Sequence, residues 1–516
     1  MEAMVNWESS WLSYLVAAIT TVVAILLYFR LSHWQESRAD RERNLPPAPY
    51  YYPLVGNLPS LVGDFPFKSL AKLSWNNRWP IFRLKLSGHA GPSTYVISSL
   101  ELAHEVLKSS GLEFACRNVG VNFAFRMLSQ DARGAPRGVS GNTLRGTWRN
   151  ARRVMVNGLV QTRKVFGDAL LVRDLEQSFR ALEADGHADG HYVHVLLPHI
   201  AQYLVNHTLH FVYGYQGENS MGQQINAHNE TVVMCLTKAQ QCLFFPILQP
   251  FLQPQYTKVM EQTLQRKYQL HETLLSQREI IRAKQGNSSW YFCDTCLEAE
   301  KTGEITHDDA LHIIDEIFLA GVMTTAATIE WGLGELVNQQ GIIKKLQQEM
   351  DAMIGVGVPL RANDIDRLPY LKATIKEIFR MHPAVPLLVP HMNPEDAKLG
   401  SYDIPKESLA MVNVWKLQRD PELWHEPNVF NPDRFLEHPE IDVCGMDNRL
   451  LPFGAGRRMC PGLSVGLLNT QMWIGRLVQR YHITLPQGVQ NLDLTPKFGA
   501  SVVIKNGLRV CLKRRQ

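Results

Sequence analysis

The chain predicts a mainly α fold with a small β portion, set behind one N-terminal transmembrane helix. Three observations predict it. Residues 11–29 carry no charge. Apolar residues recur at helical spacing, with few prolines, through 192–285 and 307–354. Strand-like runs cluster early, at 81–86 and 95–97, and late, at 408–412 and 501–504. With 516 residues, 45% hydrophobic and 20% charged, the remainder has an ordinary globular composition, and its length permits one large domain. A net charge of +4 is too small to favour a nucleic-acid partner.

A helix over residues 11–29 would be about 28 Å long, close to a bilayer's hydrocarbon thickness. Glu2 and Glu8 precede it where a cleaved signal peptide would carry basic residues, and no small-residue cleavage site follows, so an uncleaved anchor is expected. Arg30, His33, Arg38, Arg41 and Arg43 form a basic flank that belongs on the cytoplasmic side of the membrane. Pro46, Pro47 and Pro49 then forbid helix and favour a stiff extended linker, and residues 53–57 read as a turn into the folded body. The expected organisation is an anchor at 1–32, a basic and proline-rich linker at 33–53, and a single domain at 54–516.

Eight cysteines at irregular positions fit a reducing compartment and imply no disulfide framework. Cys293 and Cys296 form a CxxC with no second pair to complete a zinc site. The sequons at Asn206, Asn229 and Asn287 would go unused in a cytosolic body. Thr306, followed by His307, Asp308 and Asp309, offers a helix cap with acids in the first turn. The helix it starts would run apolar to Gly321. At Ala320, Gly321, Val322, Met323, Thr324 and Thr325, small residues would let a flat ligand approach, and a threonine hydroxyl could relay a proton.

The strongest chemical signal is the stretch Phe453-Gly454-Ala455-Gly456-Arg457-Arg458-Met459-Cys460-Pro461-Gly462. A lone cysteine is ordinarily a small buried hydrophobe. Here glycines flank it, allowing backbone amides to point at the sulfur, and the unusual dihedrals this needs are expected at Gly456 and Gly462. A sulfur so held suits a thiolate ligand to haem iron, which pushes electron density onto the metal and favours O–O cleavage. Arg458 adds a cation suited to a haem propionate.

The spacing of Phe453, Gly456, Arg458, Cys460 and Gly462 resembles the haem-binding signature of the cytochrome P-450 family. Other elements occur in that family's order. Glu377 and Arg380 resemble its Glu-x-x-Arg element and, with Arg434 from Asn431-Pro432-Asp433-Arg434-Phe435, imply a buried charged cluster that locks the haem region. Trp148 and Arg152 resemble a propionate clamp, and His391 a further propionate partner. Within the family, Leu387-Leu388-Val389-Pro390-His391-Met392-Asn393 and Tyr402-Asp403-Ile404-Pro405 look most like the plant cinnamate 4-hydroxylases.

The resemblance implies a P-450 fold, haem b (iron protoporphyrin IX) with Cys460 as its ligand, and electrons from NADPH through a flavoprotein reductase. It further implies O2, membrane lipid and a small aromatic or lipophilic substrate as partners, with the chain spanning the endoplasmic reticulum membrane once. Thr324 is the expected catalytic residue, and Phe318, Val385 and Lys497 are the expected substrate contacts. Two departures stand out. Met323 replaces the family's usual acid and cannot relay a proton, and Phe318 stands where cinnamate 4-hydroxylases carry a substrate-facing asparagine. A monooxygenase of the same family acting on another plant specialised metabolite, a haem-thiolate isomerase or dehydratase, needing no oxygen relay, and a haem-binding sensor are the alternatives.

Overall fold

The structure, a computed structural model, describes residue 20 and residues 43–52, 55–86, 92–117, 135, 137–144, 146–185, 193–216, 219–244, 249–285, 290–497 and 501–515. The expected anchor run 11–29 lies, but for Thr20, outside them, as does most of its basic flank.

The helices that carry the fold are α1 (Pro66–Asn77), α2 (Trp148–Ala184), α3 (Leu196–Tyr213), α4 (Asn219–Phe244), α5 (Gln249–Gln285), α6 (Phe292–Lys301), α7 (His307–Asn338), α8 (Gln340–Met353), α9 (Pro369–Met381) and α10 (Leu463–Arg480). The strands are β1 (Ile81–Leu84), β2 (Thr94–Ile97), β3 (Val193–Val195), β4 (His391–Met392), β5 (Ala397–Leu399), β6 (Tyr402–Ile404), β7 (Leu409–Val412), β8 (Tyr481–Thr484), β9 (Pro496–Lys497), β10 (Val503–Ile504) and β11 (Arg509–Arg514). Tyr52 and Gly56, which bracket the start of the expected turn at 53–57, exchange backbone hydrogen bonds of 2.9 and 2.8 Å, and residues 53 and 54 lie outside the described residues.

The largest sheet runs in the order β1-β2-β7-β4. β1 and β2 pair antiparallel as a local hairpin, whereas β2 lies parallel to β7, so the late strand is drawn beside the early ones and both ends of the body share one sheet. β4 pairs with β7 and sets His391 opposite Ala410. A second sheet, β3-β11-β8, joins the middle of the chain to its end.

α7 is the axis around which the helices pack, with α3, α6 and α10 among its neighbours. Its start is the capping box expected from sequence: Thr306 Oγ1 accepts from the Asp309 amide and the Asp309 carboxylate accepts from the Thr306 amide. The helical pattern over 307–354 is broken once, at Gln339, whose backbone (φ −126°, ψ 69°) separates α7 from α8. Among the described residues α7 is the one helix long and apolar enough to cross a membrane, yet 67% of its apolar window is buried within the protein, as befits a core helix.

Burial describes the surroundings of two minor motifs. Cys293 and Cys296 are fully buried, burial pushes both thiols up, and no cluster of metal-binding side chains occurs among the described residues. Asn229 is fully buried between α4 and α7, where a glycan has no room.

Candidate functional site

Cys460 sits between a tight turn at Gly456–Arg458 and the start of α10. The loop is closed by its own backbone: the Cys460 amide donates to the Phe453 carbonyl at 2.9 Å, and the Met459 amide to Gly456 at 3.2 Å. Burial raises the thiol's pKa, while a hydrogen bond from the Gly462 amide and the nearby Arg152 cation favour the thiolate. Phe453 packs its ring against Phe379 of α9, with centroids 5.0 Å apart.

The two expected glycines differ. Gly456 has φ +67°, and a Cβ there would run into the Leu107 carbonyl oxygen, so no other residue fits. Gly462 has an ordinary φ of −84°, which corrects the expectation of an unusual dihedral there; it serves through its amide. Gly456→Ala should therefore destabilise the protein by about 1–3 kcal/mol from the dihedral alone, with the clash in addition. A thermal melt of the haem-loaded variant that matches the parent would show a more compliant loop.

Five side chains gather beside the cysteine loop. Arg458 lies over the Trp148 ring at 4.6 Å and donates to the carbonyls of Ala115, Val139 and Asn142. Arg152 also faces that ring, at 5.7 Å, and donates to Met459 O at 2.7 Å. The Trp148 indole N–H, expected to meet a propionate, is engaged with Val139 O at 3.1 Å. His391, on β4, is buried and bonds through Nδ1 to Phe114 O at 3.1 Å. Since a carbonyl can only accept, Nδ1 carries the proton.

The fifth, Arg117, was not legible in sequence: it is a lone arginine with no helical partner or motif spacing. It is buried, donates through Nη1 to Val389 O and Pro390 O, and leaves its Nε without a partner.

This group is short of negative charge. No carboxylate forms an ion pair with Arg117, Arg152 or Arg458 among the described residues. Burial lowers the pKa of all three, with Arg458 down to about 10, and like charge adds to the effect: Arg458 acts on Arg117, and Arg152 on Arg458. Burial and the Arg117 and Arg458 cations hold His391 well below the usual histidine range. Glu316 stabilises the Arg458 cation through space, but buried cations without an ion-pair partner are costly, so the donor set calls for a further anionic group. A dianion beside a buried thiol matches haem, with two propionates and an iron that takes a thiolate.

On the other side stands α7. Ala320 and Gly321 are exposed midway along a helix that is buried around them, and a Cβ on Gly321 would meet nothing within 4 Å. Thr324 borders this notch and donates its hydroxyl to Ala320 O at 2.6 Å, a back-bond of the kind that bends helices. Thr325, the next residue, faces Gly466 of α10, where a Cβ would lie 3.7 Å from its Oγ1. The notch and the cysteine loop are thus held together by the packing of α7 on α10.

The expected substrate contacts are dispersed. Val385 is half-buried in the segment after α9. Lys497 is exposed on β9, whose partner β10 is fastened to α7 by Glu330, which accepts from the Ile504 amide at 3.2 Å. Phe318 does not face the notch. Its ring is fully buried against Tyr213 (6.2 Å) and His271 (5.8 Å), because it lies on the α7 face that packs against α3 and α5. That corrects the expected direct contact.

Glu377, Arg380 and Arg434 do come together. Arg380 forms a two-pronged pair with Glu377 at 2.7 and 2.8 Å, and Arg434 Nε donates to the same carboxylate at 3.2 Å. Glu377 and Arg380 are fully buried.

The comparisons with known proteins agree with this geometry. The family model described as Cytochrome P450 matches residues 46–512. Among curated proteins, trans-cinnamate 4-monooxygenase of Sorghum bicolor is 34% identical over 90% of this chain and 93% of its own length. Those of Narcissus pseudonarcissus (35%, covering 89% and 91%) and Pisum sativum (34%, covering 95% of each) are similar. A zebra fish cytochrome P450 solved with abiraterone superposes with a TM-score of 0.72 at 25% identity, over 87% of this chain and all of that one. A thiol poised for iron, a cation cluster wanting a dianion and a family match along nearly the whole body converge: the chain belongs to the cytochrome P450 family of haem-dependent monooxygenases, whose electrons come from NADPH through a reductase.

Proposed function

We propose that this chain is a monooxygenase anchored in the endoplasmic reticulum membrane by residues 11–29, its body facing the cytosol, and that it hydroxylates trans-cinnamate or a related phenylpropanoid acid at the 4-position. The observation that carries the substrate class is the similarity to trans-cinnamate 4-monooxygenases over 90% of the chain.

When bound, haem would supply the activation of dioxygen. Cys460 would hold the iron, and Arg117, Arg152, Arg458 and His391 would meet the propionates. That negative charge would offset the Arg117 and Arg458 cations around His391 and favour a second proton on its ring, which burial opposes. The Ala320 and Gly321 notch leaves room for dioxygen. Thr324 then holds the proton: its hydroxyl already donates to Ala320 O, so its oxygen remains open to accept from water. Met323 neither binds nor releases a proton, which leaves Thr324 and water as the route. Val385 walls the substrate site, Phe318 stiffens that wall from the core, and Lys497 draws the substrate carboxylate. Basic residues on the cysteine side of the haem dock the reductase's acidic surface.

Binding difference spectra of the haem-loaded protein against a panel of phenylpropanoid acids test the substrate class. Cinnamate should perturb the haem spectrum, and Lys497→Ala should weaken its binding about tenfold, the order expected for one charge-assisted hydrogen bond. If no acid perturbs the spectrum while neutral lipophiles do, the acid class is wrong. Met323 favours one second reading, an isomerase or dehydratase without an oxygen relay; product formed in the absence of NADPH would decide for it.

A further inference from the structure

Glu316 lies on α7 about two turns before Met323, buried at 7% exposure, and forms no ion pair among the described residues. Its carboxylate is occupied instead by a loop. Oε2 accepts the Val139 amide at 2.9 Å, and Oε1 accepts the Ser140 amide at 2.8 Å and the Ser140 hydroxyl at 2.6 Å. Gly138 makes the approach possible: its φ is +68°, and a Cβ there would lie 2.7 Å from Glu316 Oε1. Asn142 Nδ2 reaches back to Gly138 O at 3.4 Å and closes the loop on itself.

The amides of this loop point at Glu316, and its carbonyls point the other way. Val139 O accepts from Trp148 Nε1 at 3.1 Å and from Arg458 Nη1 at 2.9 Å, and Asn142 O accepts from Arg458 Nη2. A peptide group whose N–H is bound by a carboxylate carries a stronger carbonyl acceptor, so the negative charge is felt at the guanidinium through the loop. Glu316 also acts on Arg458 directly, stabilising its cation.

We propose that Glu316 is a positioning residue for the propionate side of the haem: it seats the 138–140 loop, whose carbonyls aim Arg458 and fix the Trp148 ring that Arg458 and Arg152 flank. The inference rests on Arg458 and its neighbours meeting the propionates. It differs from the back-up for a missing proton donor that an acid on this helix would suggest, because every Glu316 contact faces the loop and not the notch.

The test uses the full-length haem-loaded protein and two readouts besides turnover: the rate of haem transfer to excess apomyoglobin, and the haem reduction potential. Glu316→Gln sets an amide NH2 among three donors, so haem loss should quicken about tenfold, the low end for losing a supporting contact. Its potential should move to more positive values as a nearby negative charge disappears. Glu316→Asp keeps the charge and should restore the potential. A Glu316→Gln protein with the parent's haem loss and potential overturns the proposal. Should that variant fail to fold, Ser140→Ala removes a single donor and should quicken haem loss severalfold; no change there overturns it equally. Arg458→Gln separates the two levels. If it leaves haem loss unchanged, the propionate assignment is wrong; if it quickens haem loss while Glu316→Gln and Ser140→Ala do not, only the role of Glu316 is wrong.

Discussion

Cys460→Ser removes the red-shifted Soret band of the reduced, carbon monoxide-treated protein and lowers NADPH-driven turnover more than about a hundredfold, beyond what losing a residue that merely supports a metal ligand costs. The band reports a sulfur anion on iron, and two groups beside Cys460 favour that anion against the burial that raises the thiol's pKa: the Gly462 amide donates to it and the Arg152 cation stands nearby. A serine hydroxyl is far less acidic and gives iron a neutral oxygen, which lacks the electron push of a thiolate. The fold should survive, since the loop is closed by the Cys460 amide on Phe453 and the Met459 amide on Gly456, and neither bond uses the side chain. Circular dichroism of the parent and the variant should therefore coincide. A serine variant that keeps the band would overturn Cys460 as the ligand.

What the sequence made legible was local. The cap at Thr306 and Asp309 spans four residues and formed as expected. The Glu377 and Arg380 pair is one helical turn apart, so its geometry follows from the helix, whereas Arg434 joins it from another segment and could be expected only from the family resemblance. The parallel pairing of β2 with β7 unites strands more than three hundred residues apart, which no local pattern reports. β3, β8 and β11 are three to six residues long and went unread for the same reason. Arg117 and Glu316 show the limit within the site. Each is a single charged residue whose partners lie on distant loops and are, but for the Ser140 hydroxyl, backbone groups, which leave no trace in side-chain spacing. Phe318 shows a different one: matching it to a substrate-facing position gave its place along α7, but its ring followed the apolar contacts offered by Tyr213 and His271.

Glu377→Ala should destabilise the protein by about 3–5 kcal/mol, the cost of leaving a buried charge unpaired, out of a total that is typically about 5–15 kcal/mol. Two guanidinium groups lose their counter-charge at once, because Arg380 and Arg434 share that carboxylate and the Asn431 amide donates to it as well, at 2.8 Å. The damage should reach the cysteine loop by a traceable route. Arg380 Nη1 donates to Gln418 O at 2.7 Å, Gln418 donates back to the Phe379 and Arg380 carbonyls, and its Oε1 accepts the Leu451 amide at 2.9 Å, two residues before Phe453. Phe379 itself packs on Phe453. A loosened cluster therefore loosens the frame that presents Cys460, and most of the variant should accumulate without haem. Chemical denaturation and haem content measure the two effects. The cluster lies behind the cysteine loop and touches neither the notch nor the cations of the propionate side, so molecules that do retain haem should turn over at nearly the parent's rate per haem. A fall in that rate as large as the fall in haem content would mean that Glu377 takes part in the chemistry, and a variant as stable as the parent would mean that Arg380 and Arg434 are held by their carbonyl partners alone.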